Sequence, residues 1–357
     1  MKNYLYFCIF FSILIASCGK DKTPAPTPTP TPVPTPTPVV IGPPPAFGYY
    51  VVGYLPYYRD PASIPEVKFR MCNVINYAFA SVNAAGTADV LVPAYLSAVV
   101  TKARANGAKV MISLNGTTTD WKNMAATPTG RTNFIKSVMN TVRQYTLDGV
   151  DVDWEFPTTS DGTDVTFTEL IKQLSDSCHL NNRYYITIAV TSGKYAGGIR
   201  DAIKPEIFPY LDFVNIMAYD DFNTTVPYRQ HSDMVLANLC LNFWLTNKGL
   251  PASKAVLGTP GYGRPSGIAQ MGATLSYNSI ITTQNGNPNS DSAIATVTGV
   301  NGGNPFTIYY NGMRTTKNKA KLAQAMGNGI MFWEHGHDAH NNFSLLKAVC
   351  DTLGRPY

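Results

Sequence analysis

Short apolar runs alternate with longer amphipathic stretches along most of this 357-residue chain. Runs rich in Val, Ile, Tyr and Phe occupy residues 49–55, 73–80, 109–114, 149–155, 184–190, 213–219, 255–259 and 329–333. Their length and composition predict strands. Between them, residues 94–105, 132–145, 168–178, 234–246 and 317–325 repeat apolar positions at helical spacing, the first stretch stopping at Gly107. Strands that alternate with helices predict a parallel sheet joined by crossovers. Eight such units predict an α/β fold, a (β/α)8 TIM barrel, whose functional site lies at the carboxyl ends of its strands. An open doubly wound sheet is the competing layout, but no GxGxxG follows the first strand. One interval breaks the rhythm. From Arg264 to Thr315 the sequence turns irregular and rich in Asn, Gly, Ser and Thr, with weak strand signals at 280–283, 293–297 and 306–310. A short insertion after the seventh strand, at about 265–315, is therefore expected to line or cover a cleft.

The amino terminus follows other patterns. Residues 4–17 form an apolar run behind Lys2, too short for a typical membrane span and suited to a signal-peptide core. It ends in Ile15-Ala16-Ser17-Cys18-Gly19, which resembles the lipobox of bacterial lipoproteins. That resemblance implies cleavage before Cys18, lipid on its sulfur, and a lipid-anchored place in the cell envelope. Residues 22–40 carry a Thr-Pro repeat whose composition favours extended polyproline II and forms no packed core. The expected organisation is a leader at 1–17, a Thr/Pro-rich linker at 18–45, and one barrel at 46–357.

The formal net charge is +5, but Lys2, Lys20 and Lys22 against Asp21 place +2 of it ahead of the barrel. The remainder is ordinary for a domain of this size. No Lys/Arg cluster interleaved with aromatics stands out, which argues against a nucleic-acid partner. Cys72, Cys178, Cys240 and Cys350 are widely scattered and show no CxxC or Cys/His spacing of a zinc site. Buried single thiols are expected, with a disulfide as the alternative in an oxidising compartment.

The chemistry concentrates in Asp148-Gly149-Val150-Asp151-Val152-Asp153-Trp154-Glu155-Phe156-Pro157. Side chains on a strand alternate faces, so Asp151, Asp153 and Glu155 share one side while Val150, Val152 and Trp154 take the other. Alternate residues lie about 6.6 Å apart along a strand, close enough for like charges to push at least one pKa upward. A carboxyl group that keeps its proton near neutral pH can act as a general acid. An edge strand with a solvated acidic face is the plain alternative, but a Val, Val, Trp reverse face and the Phe-Pro that follows favour a strand end in a barrel. Glycoside hydrolysis needs such an acid and a stabiliser on the opposite face of the sugar. Asp153 and Glu155 project from one strand into one space, so Asp153 is not placed across the ring, and the nucleophile is expected to come from the substrate.

The same segment resembles the DGxDxDWEYP signature of family 18 glycoside hydrolases, the chitinase family, with Phe156 where tyrosine is commoner. The likeness extends through most of the chain after the linker. It implies Glu155 as general acid/base, and Asp153 as the group that orients and polarises a substrate 2-acetamido group whose oxygen attacks the anomeric carbon. Asp151 is implied to lie deeper, sharing charge and a proton with Asp153. In Asn215-Ile216-Met217-Ala218-Tyr219-Asp220, Tyr219 matches the tyrosine that hydrogen-bonds the acetamido oxygen, Met217 lies beneath it, and Asp220 matches a substrate-contacting aspartate. Trp333 matches the tryptophan that floors the sugar subsite. Tyr54 fits a support for Asp151, Phe79 an aromatic wall, and Tyr262 with Arg264 the YGR element after the seventh strand.

One departure stands in Ser113-Leu114-Asn115-Gly116, where the family has SxGG. Ser113, the implied hydrogen-bond partner of Asp151, is kept. Asn115 replaces a glycine and is among the few residues that tolerate positive φ, so a turn there is expected to survive. The resemblance implies a retaining enzyme that cuts β-1,4 bonds next to N-acetylglucosamine, in an N-acetylglucosamine-containing polysaccharide or glycan, with no metal or organic cofactor. The insertion's shortness predicts an open groove and endo cleavage. The alternatives are an endo-β-N-acetylglucosaminidase acting on N-glycans and, from another class, a non-catalytic glycan-binding lipoprotein. Trp154 argues against the first and Glu155 against the second. Nothing in the sequence speaks to oligomeric state.

Overall fold

A computed structural model of the chain describes residues 40–46, 48–83 and 85–357. The expected leader, Cys18 and nearly all of the Thr-Pro repeat lie outside the described residues. Eight parallel strands form the barrel: β1 (Tyr50–Pro56), β2 (Val74–Val82), β3 (Lys109–Gly116), β4 (Gly149–Val152), β5 (Tyr185–Val190), β6 (Phe213–Ile216), β7 (Ala255–Pro260) and β8 (Gly329–Trp333). Each pairs with the next, and β8 pairs with β1 through Tyr50↔Gly329 to Gly53↔Phe332, which closes the sheet.

Six strands fall within about two residues of the expected bounds, but β4 and β6 are shorter than the apolar runs that predict them. β4 stops at Val152 and β6 at Ile216, so Asp153, Glu155, Tyr219 and Asp220 stand beyond the ladder. One bond prolongs each strand: Asp153 N donates to Leu114 O (2.9 Å) and Met217 N to Val190 O (2.8 Å). Past those bonds the chains splay apart, which opens a cleft between strand ends. Asn115 brings another correction. It lies within β3 and is absent from the residues with positive φ, so the chain runs on extended where a turn is expected.

Alternation along the strands makes two cores. Tyr50, Val52, Tyr54, Met111, Phe213 and Met331 fill the barrel interior, while Val51, Leu55, Val110, Ile112, Val150 and Val152 face outward against the helices. The outer layer includes α1 (Pro93–Ala105), α2 (Pro128–Gln144), α3 (Thr163–Cys178), α4 (Met234–Asn242), α5 (Met313–Met326) and α6 (Leu345–Leu353). In α1, proline opens the helix, Leu96, Val99, Val100 and Ala103 form its buried stripe, and Gly107 at φ 75° follows its end. α2 begins four residues before its expected start, because the Thr127 hydroxyl accepts from Gly130 N and caps a first turn too polar to show periodicity. The helical pattern at 234–246 divides into α4 and a π-helical turn, Phe243–Asn247. The four described cysteines are buried free thiols.

The insertion is more ordered than its composition suggests. Four antiparallel strands line up in the order Leu275–Ser276, Tyr262–Pro265, Phe306–Tyr309, Ser292–Ala295. The expected strand at 280–283 is instead part of a helix, Tyr277–Thr282, capped by the Ser276 hydroxyl and holding Tyr277 and Ile280 in the core. Two apolar residues at i, i+3 outweigh a β-branched pair there. At the opposite end of the barrel, residues 40–46 run along the loop between α3 and β5. Gly42 N donates to His179 O (3.0 Å), Asn181 N to Val40 O (2.6 Å), and Tyr185 Oη to Pro45 O (2.8 Å).

Candidate active site

Asp151 is held from four sides. Fully buried, it accepts from Tyr54 Oη (2.7 Å) and Ser113 Oγ (2.8 Å) on Oδ2, and from Thr187 Oγ1 (2.5 Å) and Asn215 Nδ2 (3.2 Å) on Oδ1. Burial raises its pKa and these donors oppose the rise. Four donors occupy the lone-pair directions of one carboxylate. Among the described residues no hydrogen bond joins Asp151 to Asp153, so the proton sharing implied by the resemblance is not seen as a direct bond. Thr187 and Asn215 are functional neighbours that the sequence analysis overlooks. Their signal is a lone polar side chain inside an apolar strand, Tyr-Ile-Thr-Ile-Ala-Val and Phe-Val-Asn-Ile.

Above Asp151 opens a cavity of about 340 Å³ into which Asp153 and Glu155 both project. The alternation that begins on β4 thus persists beyond its last ladder residue. Asp153 is 4% exposed, and its Oδ1 is buried with no hydrogen-bond partner among the described residues. Burial first, then the charges of Glu155 and Asp151, raise its pKa well above the usual carboxylate value. Glu155 stands at the mouth, exposed, yet the surrounding walls and the charge of Asp220 raise its pKa as well. Trp154 turns the other way and stacks on Trp121 (ring centroids 5.0 Å, 8° between planes), outside the cavity. Its bearing on specificity is therefore not a matter of substrate contact.

One wall is the loop after β6. Tyr219 and Met217 line the cavity, with Tyr219 Oη 3.9 Å from Met331 Sδ. Asp220 has φ 66°, in the left-handed region where aspartate is among the better tolerated residues. Arg264 grips it with both prongs (Nε to Oδ1 2.7 Å, Nη2 to Oδ2 3.0 Å), and Tyr262 Oη donates to Oδ1 (2.8 Å). Burial alone would raise the Asp220 pKa, but hydrogen bonds from His231 and Arg264 and the Arg264 charge hold it well below the usual range. Asp220 is thus a fixed anion beside Glu155.

The other wall is aromatic. Trp333 packs against Phe79 (5.7 Å, 22°) and edge-on to Tyr54 (5.5 Å, 60°), offering an apolar plate to the cavity. Asn115, Ala189 and Met331 complete the lining and are also missed by the sequence reading as site residues. Asn115 Nδ2 donates to Asp153 O (2.9 Å), so the residue that replaces a glycine steadies the acidic segment from the neighbouring strand. The structure therefore brings together Tyr54, Phe79, Asp153, Glu155, Met217, Tyr219, Asp220, Tyr262, Arg264 and Trp333 around one space, with Asp151 and Ser113 beneath it.

Beyond Glu155 the cleft continues. A second cavity of about 280 Å³ shares Glu155, Met217, Tyr219 and Asp220 with the first and is also lined by Phe156 and Tyr195. A third, about 260 Å³, shares Phe156 and Tyr195 and extends to Ile199. Asp221 binds Lys194, the Tyr195 hydroxyl and Arg229 (3.1 Å for the last), which ties the loop after β5 to the loop after β6.

The relatives fit this geometry. Chitotriosidase-1 of Mus musculus is 32% identical over 188 residues, or 45% of this chain and 40% of the mouse protein. Endochitinase 1 of Metarhizium robertsii is 24% identical over 294 residues, or 70% of this chain and 66% of the fungal one. The chain thus spans less than two thirds of the length of either. Among solved structures, a chitinase from Bacteroides thetaiotaomicron superposes with a TM-score of 0.72 at 25% identity, covering 86% of this chain and 97% of that one. A family 18 chitinase from Flavobacterium johnsoniae does so at 0.69 and 26%, covering 85% and 94%. Residues 49–338 match the profile of glycosyl hydrolases family 18, a stretch that runs from the start of the barrel to beyond its eighth strand. Every side chain that holds or lines the acidic cleft lies inside it, and the chain belongs to glycosyl hydrolase family 18.

Proposed function

We propose that this chain hydrolyses β-1,4 bonds on the reducing side of N-acetylglucosamine in chitin or chitooligosaccharides, with retention and with the substrate's acetamido group as nucleophile. The observation that carries this reading is the buried, unpartnered Oδ1 of Asp153 inside a cavity that also holds Glu155. Three acids line that cavity, and Asp220 is already engaged by Arg264 and Tyr262. Neither of the other two can serve as an opposed nucleophile, because Asp153 and Glu155 rise from the same segment. A nucleophile carried by the sugar removes the difficulty. With the sugar's apolar face on Trp333, protonated Glu155 donates to the glycosidic oxygen as the bond to the anomeric carbon breaks. The acetamido oxygen bonds to that carbon, forming an oxazolinium ion. Asp153 accepts the acetamido N–H and balances the developing charge, while Tyr219 Oη is placed to donate to the oxygen. Glu155, now a carboxylate, takes a proton from the water that opens the ring. The cavities beyond Glu155 fit the leaving portion of a polymer, which supports cleavage within chains. The names of the mouse, fungal and bacterial relatives support chitin as the substrate class.

Chitooligosaccharides, an N-glycoprotein and peptidoglycan digested side by side test the proposal. Turnover of the first alone is expected, and turnover of none of them overturns the reading. A thiazoline analogue of N-acetylglucosamine, which mimics the cyclic intermediate, is expected to compete about 10² or more times better than N-acetylglucosamine itself. An active enzyme indifferent to it would exclude acetamido attack. The electrostatics give a pH prediction. Activity requires protonated Glu155, so it declines as pH rises through that group's raised pKa, and Asp220→Asn removes a charge that raises it. The alkaline limb of kcat/KM should therefore move to lower pH in the variant. A limb that stays in place would show that Asp220 does not govern the acid.

A further inference from the structure

β6 stops at Ile216, yet Met217, Tyr219 and Asp220 all reach the cleft from the residues that follow. No strand ladder holds that stretch. Besides the Met217 N bond to Val190 O and the grip of Arg264 and Tyr262 on Asp220, it is held by His231 and Ser232, ten to fifteen residues downstream. Asp221 N donates to His231 O (3.0 Å), His231 Nδ1 lies 3.5 Å from Asp220 Oδ1, and its Nε2 lies 3.2 Å from Tyr262 O. Ser232 Oγ donates to Ala218 O (2.6 Å), between the two aromatic and sulfur-bearing side chains that line the wall. Ser232 is held in turn from below. Asn311 Nδ2 donates to its carbonyl (2.7 Å), and Lys319 Nζ, on α5, donates to its Oγ (2.6 Å).

Lys319 is completely buried, and among the described residues no carboxylate pairs with it. Burial pushes its ammonium down to about 7. A desolvated amine with a single hydroxyl partner is a costly way to fill space between α4 and α5, where a methionine would fit the same stem. Groups kept at such cost tend to serve function.

We infer that Lys319 is a positioning residue for the cleft: through Ser232 it fixes the Ala218 carbonyl, and with it the placement of Met217, Tyr219 and Asp220 opposite Glu155. This rests on the reading of that cavity as catalytic. Lys319 touches no substrate. It directs the Ser232 hydroxyl, whose own proton then goes to Ala218 O.

The test compares full-length wild type, Lys319→Met and Ser232→Ala by thermal melting, amide hydrogen exchange over residues 217–221, and kinetics on a chromogenic chitobioside. Lys319→Met is expected to melt no lower than wild type, because an unpaired buried charge is gone. Exchange at 217–221 should nevertheless quicken about tenfold as the stretch loosens. kcat should drop by about tenfold or more while KM moves far less, the pattern of a displaced catalytic wall. Loss of activity without loss of stability is what mere filling of space does not give. Wild-type exchange and kcat in Lys319→Met overturn the inference. Should that variant fail to fold, Ser232→Ala, which melts lower because Lys319 loses its hydroxyl partner, carries the same expectation for exchange and kcat and the same refutation. Exchange needs no turnover, so a wild type that cleaves nothing would sink the proposed function while exchange alone still decides the role of Lys319.

Discussion

Glu155→Gln is expected to lower kcat on chitooligosaccharides by about 10³-fold or more, with little change in KM, since one side chain serves as acid in the first half-reaction and base in the second. Gln reproduces the shape of the protonated acid and carries no charge, so the resting cavity and its hold on substrate are preserved. What disappears is the transferable proton. An activated aryl leaving group needs less protonation, so an aryl chitobioside should show a smaller loss in the first step. Opening of the oxazolinium ring still lacks its base, and the overall rate remains low. Steady-state kinetics on both substrates measure this. A kcat within tenfold of wild type on unactivated oligomers would remove Glu155 from the reacting atoms, and equal negligible rates for wild type and variant would favour a lectin.

Asp153→Asn is the second large effect, about 10²–10³-fold in kcat, the range for removing one preorganised charged or hydrogen-bonding group from a developing charge. The physical basis is Oδ1, buried and without a hydrogen-bond partner among the described residues. Burial of an acceptor in that state is unfavourable unless a donor arrives, and the acetamido N–H is such a donor. The amide of Asn offers an acceptor without the charge that balances an oxazolinium ion. The thiazoline analogue separates this role from general damage: its affinity should weaken in parallel with kcat, while that of N-acetylglucosamine changes less. Parallel weakening of both inhibitors would instead point to a distorted pocket.

Much of this site is written in local pattern. Alternation along 149–155 assigns Asp151, Asp153 and Glu155 to one side and Trp154 to the other, and it does so even though the ladder ends at Val152, because side-chain direction depends on extended backbone rather than on pairing. Contacts made by chain closure are not local. Tyr54 meets Asp151 across 97 positions and Arg264 meets Asp220 across 44, and only the family resemblance brings those residues forward. Thr187 and Asn215 carry a readable mark, polarity within an apolar strand, yet the mark does not say whom they face. Ala189 and Met331 carry none. The insertion misleads for a different reason. A sequence rich in Asn and Gly reads as loop, whereas the sheet forms through pairing with Tyr262–Pro265, and burial of Tyr277 and Ile280 makes a helix where β-branched residues suggest a strand.

The strap formed by residues 40–46 bears on which pole of the barrel stays accessible. It is stitched to the pole of the barrel that carries His179 and Asn181, whereas Glu155 and Trp333 open at the other pole. Val40, where the described residues begin, therefore lies at the rear pole. Among the described residues this strap leaves the cleft pole uncovered, so a long extended polymer can cross Glu155 and Trp333 without meeting it.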